Sequence, residues 1–243
     1  MNRTELQHTQ EQADQEVIAI VPAAGIGSRM GADCPKQYLP LQDGCILGCT
    51  LQLLLGHPAI TQVIVALHPQ DVFFAKLPQA HHPKLLTVTG GQARADSVLA
   101  ALNHVTNTSA WALVHDAARP CLTHGDIDKL LAARTQYPQG AILATPVRDT
   151  MKRASVDGSI QETVSRDALW HALTPQLFPA RLLQQHLTAA IAAGAVVTDE
   201  ASAMEWAGIH PGLVPGRSDN IKVTHPDDLT LAALYLRHRH VQC

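Results

Sequence analysis

The sequence predicts an α/β fold: a single domain with a mostly parallel sheet, helices on both faces of that sheet, and a projecting β-hairpin arm. Three observations lead to this prediction. Short apolar runs recur along the chain, segments with helical spacing separate them, and one polar stretch contains a turn signal. The 243 residues suffice for one large domain or two small ones. We expect one domain over residues 17–243, with the arm inserted at about 149–166, and a flexible leader at 1–16.

Continuous apolar runs that end in turn residues predict the buried strands. Val17–Val21 leads into Pro22 and a glycine-rich turn, which is typical of a central strand covered on both faces. Similar runs follow at Val63–Leu67, Leu85–Val88, Trp111–Val114 and Ala141–Ala144. Because helical segments alternate with these runs, the strands should be parallel and their crossovers right-handed.

Apolar residues at helical spacing predict the helices. In Ala93–Leu102, one stripe contains Val98, Leu99 and Leu102. The other predicted helices are Asp126–Arg134, Arg181–Ala193, Glu200–Ala207 and Asp227–Arg239. The last has acidic residues in its first turn and arginines in its last turn, an arrangement that complements the helix dipole.

The stretch Asp149–Ser165 differs from the rest of the chain. It is polar, and Asp157-Gly158-Ser159 is a turn signal between the short segments Met151-Lys152-Arg153 and Thr163-Val164. This pattern predicts a hairpin arm that projects from the main body.

Composition and charge argue against several classes of protein. Apolar residues make up 46% and charged residues 16%, which is wrong for a disordered chain. The 18 basic and 21 acidic residues give a net charge of −3, so we expect no nucleic-acid partner. The apolar stretches are shorter than the ~18 residues of a membrane helix, so we expect no membrane partner. Five cysteines without a C-x-x-C pair argue against disulfides and zinc fingers and favour a reducing, cytoplasmic setting.

The residues after the first predicted strand are small, in the order Pro22-Ala23-Ala24-Gly25-Ile26-Gly27-Ser28-Arg29-Met30. A glycine turn at the carboxyl end of a strand is where open α/β sheets bind ligands. Met30 stands where the dinucleotide and Walker fingerprints both require glycine, so neither site is predicted. There remains a cradle of backbone N–H groups followed by Arg29 and Lys36, which could hold a triphosphate. Taken alone, these residues could also form an ordinary turn with two solvated cations.

With Cys34-Pro35-Lys36-Gln37-Tyr38-Leu39 added, the turn resembles the signature loop of the sugar-phosphate nucleotidyltransferases, and among them the 2-C-methyl-D-erythritol 4-phosphate cytidylyltransferase family. Six more blocks match that family in order: GGQARADS from Gly90, VHDAARP from Val114, PVRDT from Pro146, LWHALTPQ from Leu169, TDEAS from Thr198 and DNIKVT from Asp219. The resemblance covers roughly residues 17–236 and implies a Rossmann-like nucleotidyltransferase domain.

The resemblance also implies a reaction. A phosphate oxygen of 2-C-methyl-D-erythritol 4-phosphate attacks the α-phosphorus of CTP, giving 4-diphosphocytidyl-2-C-methyl-D-erythritol and pyrophosphate in the non-mevalonate route to isoprenoid precursors. Such chemistry needs alignment and charge neutralisation more than a protein nucleophile. The implied catalytic residues are Arg29 and Lys36, which stabilise the transferred and leaving groups, and Arg166 and Lys222, which place the attacking oxygen. The implied nucleotide-binding residues are Pro22, Ala23, Ala24, Gly25, Gly27, Lys36, Gly90, Gly91, Ser97, Asp116 and Ala117.

Asp116 follows the predicted strand Trp111–Val114 by two residues, at a strand carboxyl end. A carboxylate beside a triphosphate indicates Mg²⁺, with Asp219 as the second predicted ligand. Spacing alone also allows Asp116 to pair with Arg119, and allows Asp219 to bond only its own turn.

The implied residues for the polyol phosphate are three cations and three hydroxyls: Arg119, Thr150, Arg166, Thr198, Lys222 and Thr224. Thr150 and Arg166 flank the predicted arm. The family resemblance implies a homodimer in which the arms are exchanged, so that both residues act in the partner's site. A hairpin without a core of its own also needs a partner to be ordered.

Two other functions are compatible with the glycine turn. A ribitol 5-phosphate cytidylyltransferase would share the nucleotide loop and differ in the polyol pocket. A non-catalytic nucleotide-sensing module would keep the turn but would not need both Lys36 and Lys222. The blocks from Leu169 and Thr198 favour the methylerythritol enzyme.

Overall fold

The structure is a computed structural model that describes residues 15–25 and 34–241. Its strands, in chain order, are β1 Val17–Ala23, β2 Pro40–Leu41, β3 Gly44–Cys45, β4 Ile60–Leu67, β5 Leu85–Thr89, β6 Trp111–Val114, β7 Ala141–Pro146, β8 Met151–Ala154, β9 Ile160–Val164, β10 Trp170–Pro179 and β11 Gly212–Pro215. Its α-helices are α1 Ile46–Gly56, α2 Arg94–Leu102, α3 His124–Ala132, α4 Ala180–Ala192, α5 Glu200–Trp206 and α6 Pro226–Val241.

Seven strands form the central sheet, in the order β11-β7-β10-β6-β1-β4-β5. All neighbouring pairs are parallel except the two that β10 makes with β6 and β7. The predicted α/β class with a mostly parallel sheet is therefore confirmed. The five predicted strands are β1, β4, β5, β6 and β7, each longer than or equal to its apolar run.

The central strands are buried on both faces, as their continuous apolar runs predict. Along β1, Val17, Ala19 and Val21 pack into one core, while Ile18 and Ile20 pack into the other. Helices α1 and α3 cover the first core, and α2, α4 and α5 cover the second. This arrangement leaves the carboxyl ends of the parallel strands free at one edge of the sheet.

Five strands and helices of the structure were not predicted: β2, β3, β10, β11 and α1. The reasons are clearest for β10 and α1. The strand β10 contains Pro175 and Pro179, and proline argues against a central strand because it cannot donate to the ladder. Its pairing with β7 shifts register between Ala172 and Gln176, around Pro175. Helix α1 is apolar on nearly every side, so its sequence has no amphipathic period that would indicate a helix.

The predicted arm is present as β8 and β9, which pair with each other in a two-stranded sheet separate from the main one. Most of its side chains are exposed, including Ile160. Gln15 and Glu16, at the end of the predicted leader, contact the domain: Trp111 donates to Gln15, and Asn107 to Glu16. Residues 1–14 lie outside the described part of the chain.

Candidate active site

A cleft of about 570 Å³ opens at the carboxyl edge of the sheet. Its walls come from the segments that follow β1, β5 and β6, together with the segments around Lys36 and Lys222. The lining residues are Pro22, Ala23, Ala24, Gly25, Lys36, Gln37, Gly91, Gln92, Ala93, Arg94, Ser97, Asp116, Ala117, Ala118, Lys222 and Thr224.

The two glycines after β5 are required by close packing. A Cβ atom on Gly90 would lie 2.5 Å from the Cβ of Ala24, and one on Gly91 would lie 2.3 Å from the Cβ of Asp96. The N–H of Gly91 donates to the hydroxyl of Ser97 at 3.1 Å, which ties this turn to α2. The turn therefore sits directly against the loop after β1, and the two together form a surface of small residues and backbone groups.

Gln37 holds the described part of the β1 loop in place. Its buried side-chain amide donates to the carbonyl oxygens of Ala23 at 2.9 Å and Gly25 at 3.1 Å. The preceding residue, Lys36, donates to the carbonyl of Val223 at 3.1 Å. One short 3₁₀ segment, Lys36–Tyr38, thus links the loop after β1 to the segment that carries Lys222.

Asp116 is the centre of charge in the cleft. Its Oδ1 lies 3.0 Å from Nε of Arg94, and its Oδ2 lies 2.9 Å from Nζ of Lys222 and 3.3 Å from Nε of Arg119. Burial of the carboxyl raises its pKa, but Arg94, Lys222 and Arg119 together outweigh burial and hold the pKa well below the ordinary value. Asp116 is therefore ionised, and three cations converge on it.

Arg94 is shared between two carboxylates. Its Nη1 and Nη2 donate to Oε1 and Oε2 of Glu200 at 2.7 and 3.0 Å, while its Nε faces Asp116. Burial lowers the pKa of Arg94, but the two carboxylates more than compensate and raise it. Glu200 is fully buried at the start of α5, behind the cleft wall.

A buried network of hydrogen bonds holds the backbone of Asp116 in place on the side away from the cleft. The backbone N–H of Asp116 donates to the hydroxyl of Thr174, and that hydroxyl lies 3.0 Å from Nδ1 of His115. Nε2 of His115 lies 3.0 Å from the carbonyl oxygen of Arg119, which can only accept a hydrogen bond. His115 is therefore neutral with its proton on Nε2, and burial lowers its pKa to about 4.

The same network fixes Arg119. Its Nη1 donates to the carbonyl of Asn220 at 2.8 Å, and the amide of Asn220 donates to the carbonyl of Thr174 at 2.8 Å. Arg119 is buried, and burial lowers the pKa of its guanidinium. The chain segments 115–119, 174 and 220 are thus locked together around one carboxylate.

Most of the chain matches known proteins of one family. Residues 17–238 match the family of 2-C-methyl-D-erythritol 4-phosphate cytidylyltransferases. The enzyme of that name from Shewanella amazonensis is 69% identical over 229 residues, which are 94% of this chain and 96% of the relative. The chain belongs to this cytidylyltransferase family.

Solved structures agree. The Francisella tularensis 2-C-methyl-D-erythritol 4-phosphate cytidylyltransferase is 35% identical, with a TM-score of 0.80 over 91% of this chain and all of that one. The enzyme from Thermus thermophilus is 29% identical, with a TM-score of 0.77 over 92% and 100% of the two chains. The predicted resemblance to the cytidylyltransferase family is confirmed, and the chain is a nucleotidyltransferase.

The structure brings many of the predicted cytidylyltransferase residues together at the cleft. Lining it are Pro22, Ala23, Ala24, Gly25, Lys36, Gly91, Ser97, Asp116, Ala117, Lys222 and Thr224. Gly90 packs beneath this surface, and Arg119 reaches Asp116 from behind it. Gly27 and Arg29 lie outside the described residues.

Four other predicted residues do not line this cleft. Thr150 and Arg166 are exposed at the base of the arm, where Arg166 donates to the carbonyl of Arg148. Thr198 is exposed just before α5. Asp219 pairs with Arg217 through two hydrogen bonds, so the prediction that it shares a metal with Asp116 gains no support from the described contacts.

Sequence reasoning assigned no role to Arg94, Glu200 or Gln37. All three lie inside the matched blocks, but their function depends on contacts between distant segments: Arg94 and Glu200 are 106 residues apart. No local spacing in one sequence indicates such a pair. A buried acidic residue can be recognised only when the structure shows its burial.

Proposed function

We propose that the chain transfers a cytidylyl group from CTP to 2-C-methyl-D-erythritol 4-phosphate, releasing pyrophosphate, as a step of isoprenoid precursor synthesis. The observation that carries this proposal is the convergence of Arg94, Arg119 and Lys222 on Asp116, beside a wall of small residues. A site that joins two phosphate-bearing substrates needs cations on both sides of the reacting atoms.

The wall of small residues suits the nucleotide. Backbone groups near Ala24, Gly25 and Gly91 can approach a planar base and phosphate oxygens because no side chain intervenes. Gln37 fixes the carbonyl groups at the start of this loop, so the surface is formed before the ligand arrives. Lys36, on the same wall, is placed to neutralise charge on the transferred group and on the leaving pyrophosphate.

The segment that carries Lys222 suits the phosphate of the polyol. Lys222 and Thr224 line the cleft there, and Arg119 supports Lys222 through their shared carboxylate. We assign to Lys222 the placement of the attacking phosphate oxygen. Its side chain is 40% exposed, which leaves it accessible to a ligand.

We also propose Mg²⁺ as the cofactor. Asp116 is the ionised carboxylate of the cleft lining, and Mg²⁺ typically binds one or two carboxylates together with substrate phosphates. When bound, the ion would neutralise charge on the triphosphate. Among the described residues, no cluster of three or more His, Cys, Asp or Glu could hold a metal alone, so the nucleotide would have to complete the coordination.

The chain is proposed to act as a homodimer with exchanged arms. Thr150 and Arg166 lie at the exposed base of the arm and away from their own cleft, where they could complete the polyol side of a partner's cleft. Thr198 would add a hydroxyl near the start of α5.

A cytoplasmic location is proposed as well. Its support is that none of the four cysteines among the described residues forms a disulfide. No helix within residues 15–25 and 34–241 has the length and apolar character that crossing a membrane requires.

Pyrophosphate release tests the proposed function. The protein is incubated with CTP, Mg²⁺ and either 2-C-methyl-D-erythritol 4-phosphate or ribitol 5-phosphate, with ATP replacing CTP as a control. We expect release with CTP and the methylerythritol substrate. Release only with ribitol 5-phosphate would assign the chain to the alternative enzyme, and no release with either would favour a nucleotide-sensing role.

A further inference from the structure

Glu200 is a fully buried charge that does not line the cleft. It is the first residue of α5, and both of its oxygens accept from one guanidinium, that of Arg94. A bidentate pair of this kind fixes the plane of the guanidinium as well as its position. Glu200 therefore determines how Arg94 is oriented.

The orientation of Arg94 determines which oxygen of Asp116 remains for the other cations. With both Nη atoms engaged by Glu200, Arg94 reaches Asp116 through Nε alone, and only at Oδ1. Oδ2 is left to Lys222 at 2.9 Å and Arg119 at 3.3 Å. The two oxygens of one carboxylate thus contact cations from two distant segments of the chain, Arg94 at Oδ1 and Lys222 at Oδ2.

The position of Glu200 is itself held from a second direction. The side chain of Gln176 accepts from the backbone N–H of Ala201 at 2.9 Å and donates to Asp199 at 2.8 Å. Gln176 is buried and belongs to β10, the neighbour of β6 in the sheet. The start of α5 is therefore anchored to the sheet on either side of Glu200.

We propose that Glu200 is a positioning residue for cytidylyl transfer, acting through Arg94 to confine that guanidinium to Oδ1 of Asp116 and to leave Oδ2 to Lys222. This inference rests on the function proposed above. If the charge of Glu200 is lost, Asp116 becomes the one anion facing Arg94, Arg119 and Lys222 in this cluster. The guanidinium can then take both oxygens of Asp116, and Lys222 loses its partner.

The charge balance supports this view. Burial raises the pKa of Glu200, and Arg94 opposes that rise. Arg94 is only partly buried, but it is attracted to any carboxylate within reach, so it will move toward the one that remains when Glu200 loses its charge. The nearest one is Asp116, already in contact at 3.0 Å.

The main test is the variant Glu200→Gln, which preserves shape and removes charge. We expect kcat for pyrophosphate release to fall about tenfold or more, with a higher KM for the polyol phosphate, in protein that is fully folded at the assay temperature. Thr123→Ala is the matched control: it removes the N-cap of α3, away from the cleft lining, and lowers stability without changing either constant. Wild-type kinetic constants in Glu200→Gln would overturn the proposal.

A double-mutant cycle shows whether Glu200 acts through Arg94 or independently of it. If Glu200 acts through Arg94, then Glu200→Gln combined with Arg94→Met should be no slower than Arg94→Met alone, within about twofold. If the two losses multiply instead, Glu200 acts by another route and the proposal is wrong.

Should Glu200→Gln fail to fold, Glu200→Asp keeps the charge but shortens the side chain. Its folded form should still lose several-fold in kcat, and wild-type kcat in that variant would overturn the proposal.

A readout that does not need the reaction keeps the two proposals apart. Labelling of Lys222 by an amine-reactive reagent, quantified by mass spectrometry, reports whether Lys222 still contacts Asp116. We expect faster labelling in Glu200→Gln than in wild type, with Lys129, an exposed lysine on α3, unchanged. Faster labelling in a chain that never releases pyrophosphate would support the effect of Glu200 on the contact between Lys222 and Asp116 and would reject the proposed function. Equal labelling in the two proteins would reject the positioning role.

Discussion

The Nζ atom of Lys222 lies 2.9 Å from Oδ2 of Asp116, although 106 residues separate the two in the chain. This contact joins the segment after β6 to the segment before α6. Lys222 is 40% exposed and Asp116 is 8% exposed, so the lysine is the member of the pair that can reach a ligand. Asp116 is a buried, ionised carboxylate that holds the ammonium group of Lys222 at the cleft.

The first prediction therefore concerns Lys222. Replacing it with methionine keeps the length of the side chain and removes the cation. We expect kcat/KM for the polyol phosphate to fall by about 10²–10³, the usual loss when a preorganised charge at the reacting centre is removed. Lys129→Met, an exposed change on α3, is the control and should leave the constants unchanged. Near-normal kcat/KM in Lys222→Met would show that the lysine only neutralises Asp116.

The second prediction concerns the metal. Asp116→Asn keeps the shape of the side chain but removes its charge, so a bound Mg²⁺ ion would lose the protein ligand proposed for it. We expect turnover to fall and the Mg²⁺ concentration for half-maximal turnover to rise, with partial recovery at high Mg²⁺. The measurement is a Mg²⁺ titration at saturating CTP. An unchanged Mg²⁺ requirement would mean that Asp116 serves only to organise Arg94, Arg119 and Lys222.

The third prediction concerns Gln37. In Gln37→Glu a carboxylate replaces an amide that donates to the carbonyls of Ala23 and Gly25 at 2.9 and 3.1 Å. The carboxylate oxygens then face the carbonyl oxygens of Ala23 and Gly25 with no donor between them, so the loop after β1 must move. We expect the KM for CTP to rise about tenfold, since a charged or unsatisfied group here costs on the order of 1–3 kcal/mol. Circular dichroism checks that the fold survives, and an unchanged KM would show that the loop is held by other contacts.

Part of the fold and part of the candidate site can be predicted from the sequence alone. The apolar run Val17–Val21 and the small residues after it predict both β1 and the ligand loop, because burial on two faces and close backbone approach each require particular residue types. The family resemblance extends this to Asp116 and Lys222. These predictions rest on local patterns, which one sequence displays.

The parts that could not be predicted depend on tertiary context. Proline is disfavoured in central strands because it cannot donate a backbone hydrogen bond, yet β10 contains Pro175. The pairing of β10 with β7 shifts register around Pro175, so no ladder hydrogen bond from that residue is needed. Glu200 reads as an ordinary first-turn acid of α5, since nothing in the sequence indicates that it is fully buried. The contact on which its proposed role rests forms only because the fold brings together Arg94 and Glu200, the first residues of α2 and α5.

The fourth prediction concerns pH. His115 is neutral in the fold, where burial lowers its pKa to about 4, whereas an unfolded histidine titrates near its ordinary value of 6.5. Between these values the unfolded chain binds a proton that the folded chain does not, so stability must fall as pH falls from about 6.5 to 4. The expected loss is up to roughly 3 kcal/mol.

Urea unfolding at pH 7.5 and pH 4.5 measures this loss. In the variant His115→Gln, the free energy of unfolding should differ less between the two pH values than it does in the wild type. Asp116 contributes in a lower window, because its pKa is depressed and its stabilisation is lost only as pH falls below the ordinary value for aspartate. The two groups can therefore be distinguished by pH. Equal pH dependence in wild type and His115→Gln would contradict the assignment.

The fifth prediction tests the exchanged arm with Lys36 and Arg166. Lys36 lines the cleft, while Arg166 lies at the exposed base of the arm. If the arm completes a partner's site, Lys36→Ala and Arg166→Ala homodimers should each be nearly inactive. After subunit exchange, a mixed dimer has one site with both lesions and one site with an intact Lys36 and an intact Arg166.

Random exchange makes about half of the dimers mixed, and half of their sites work, so about a quarter of wild-type activity should return in a two-fold symmetric dimer. A site built within one chain gives no recovery, because every subunit then carries its own lesion. Native mass spectrometry shows independently that exchange has occurred. The control is a mixture of Lys36→Ala with a Lys36→Ala/Arg166→Ala double variant, in which every site contains a lesion and no activity can return. Exchange without recovery in the first mixture would place Arg166 outside the partner's site and leave the assignments at Asp116 and Lys222 unaffected.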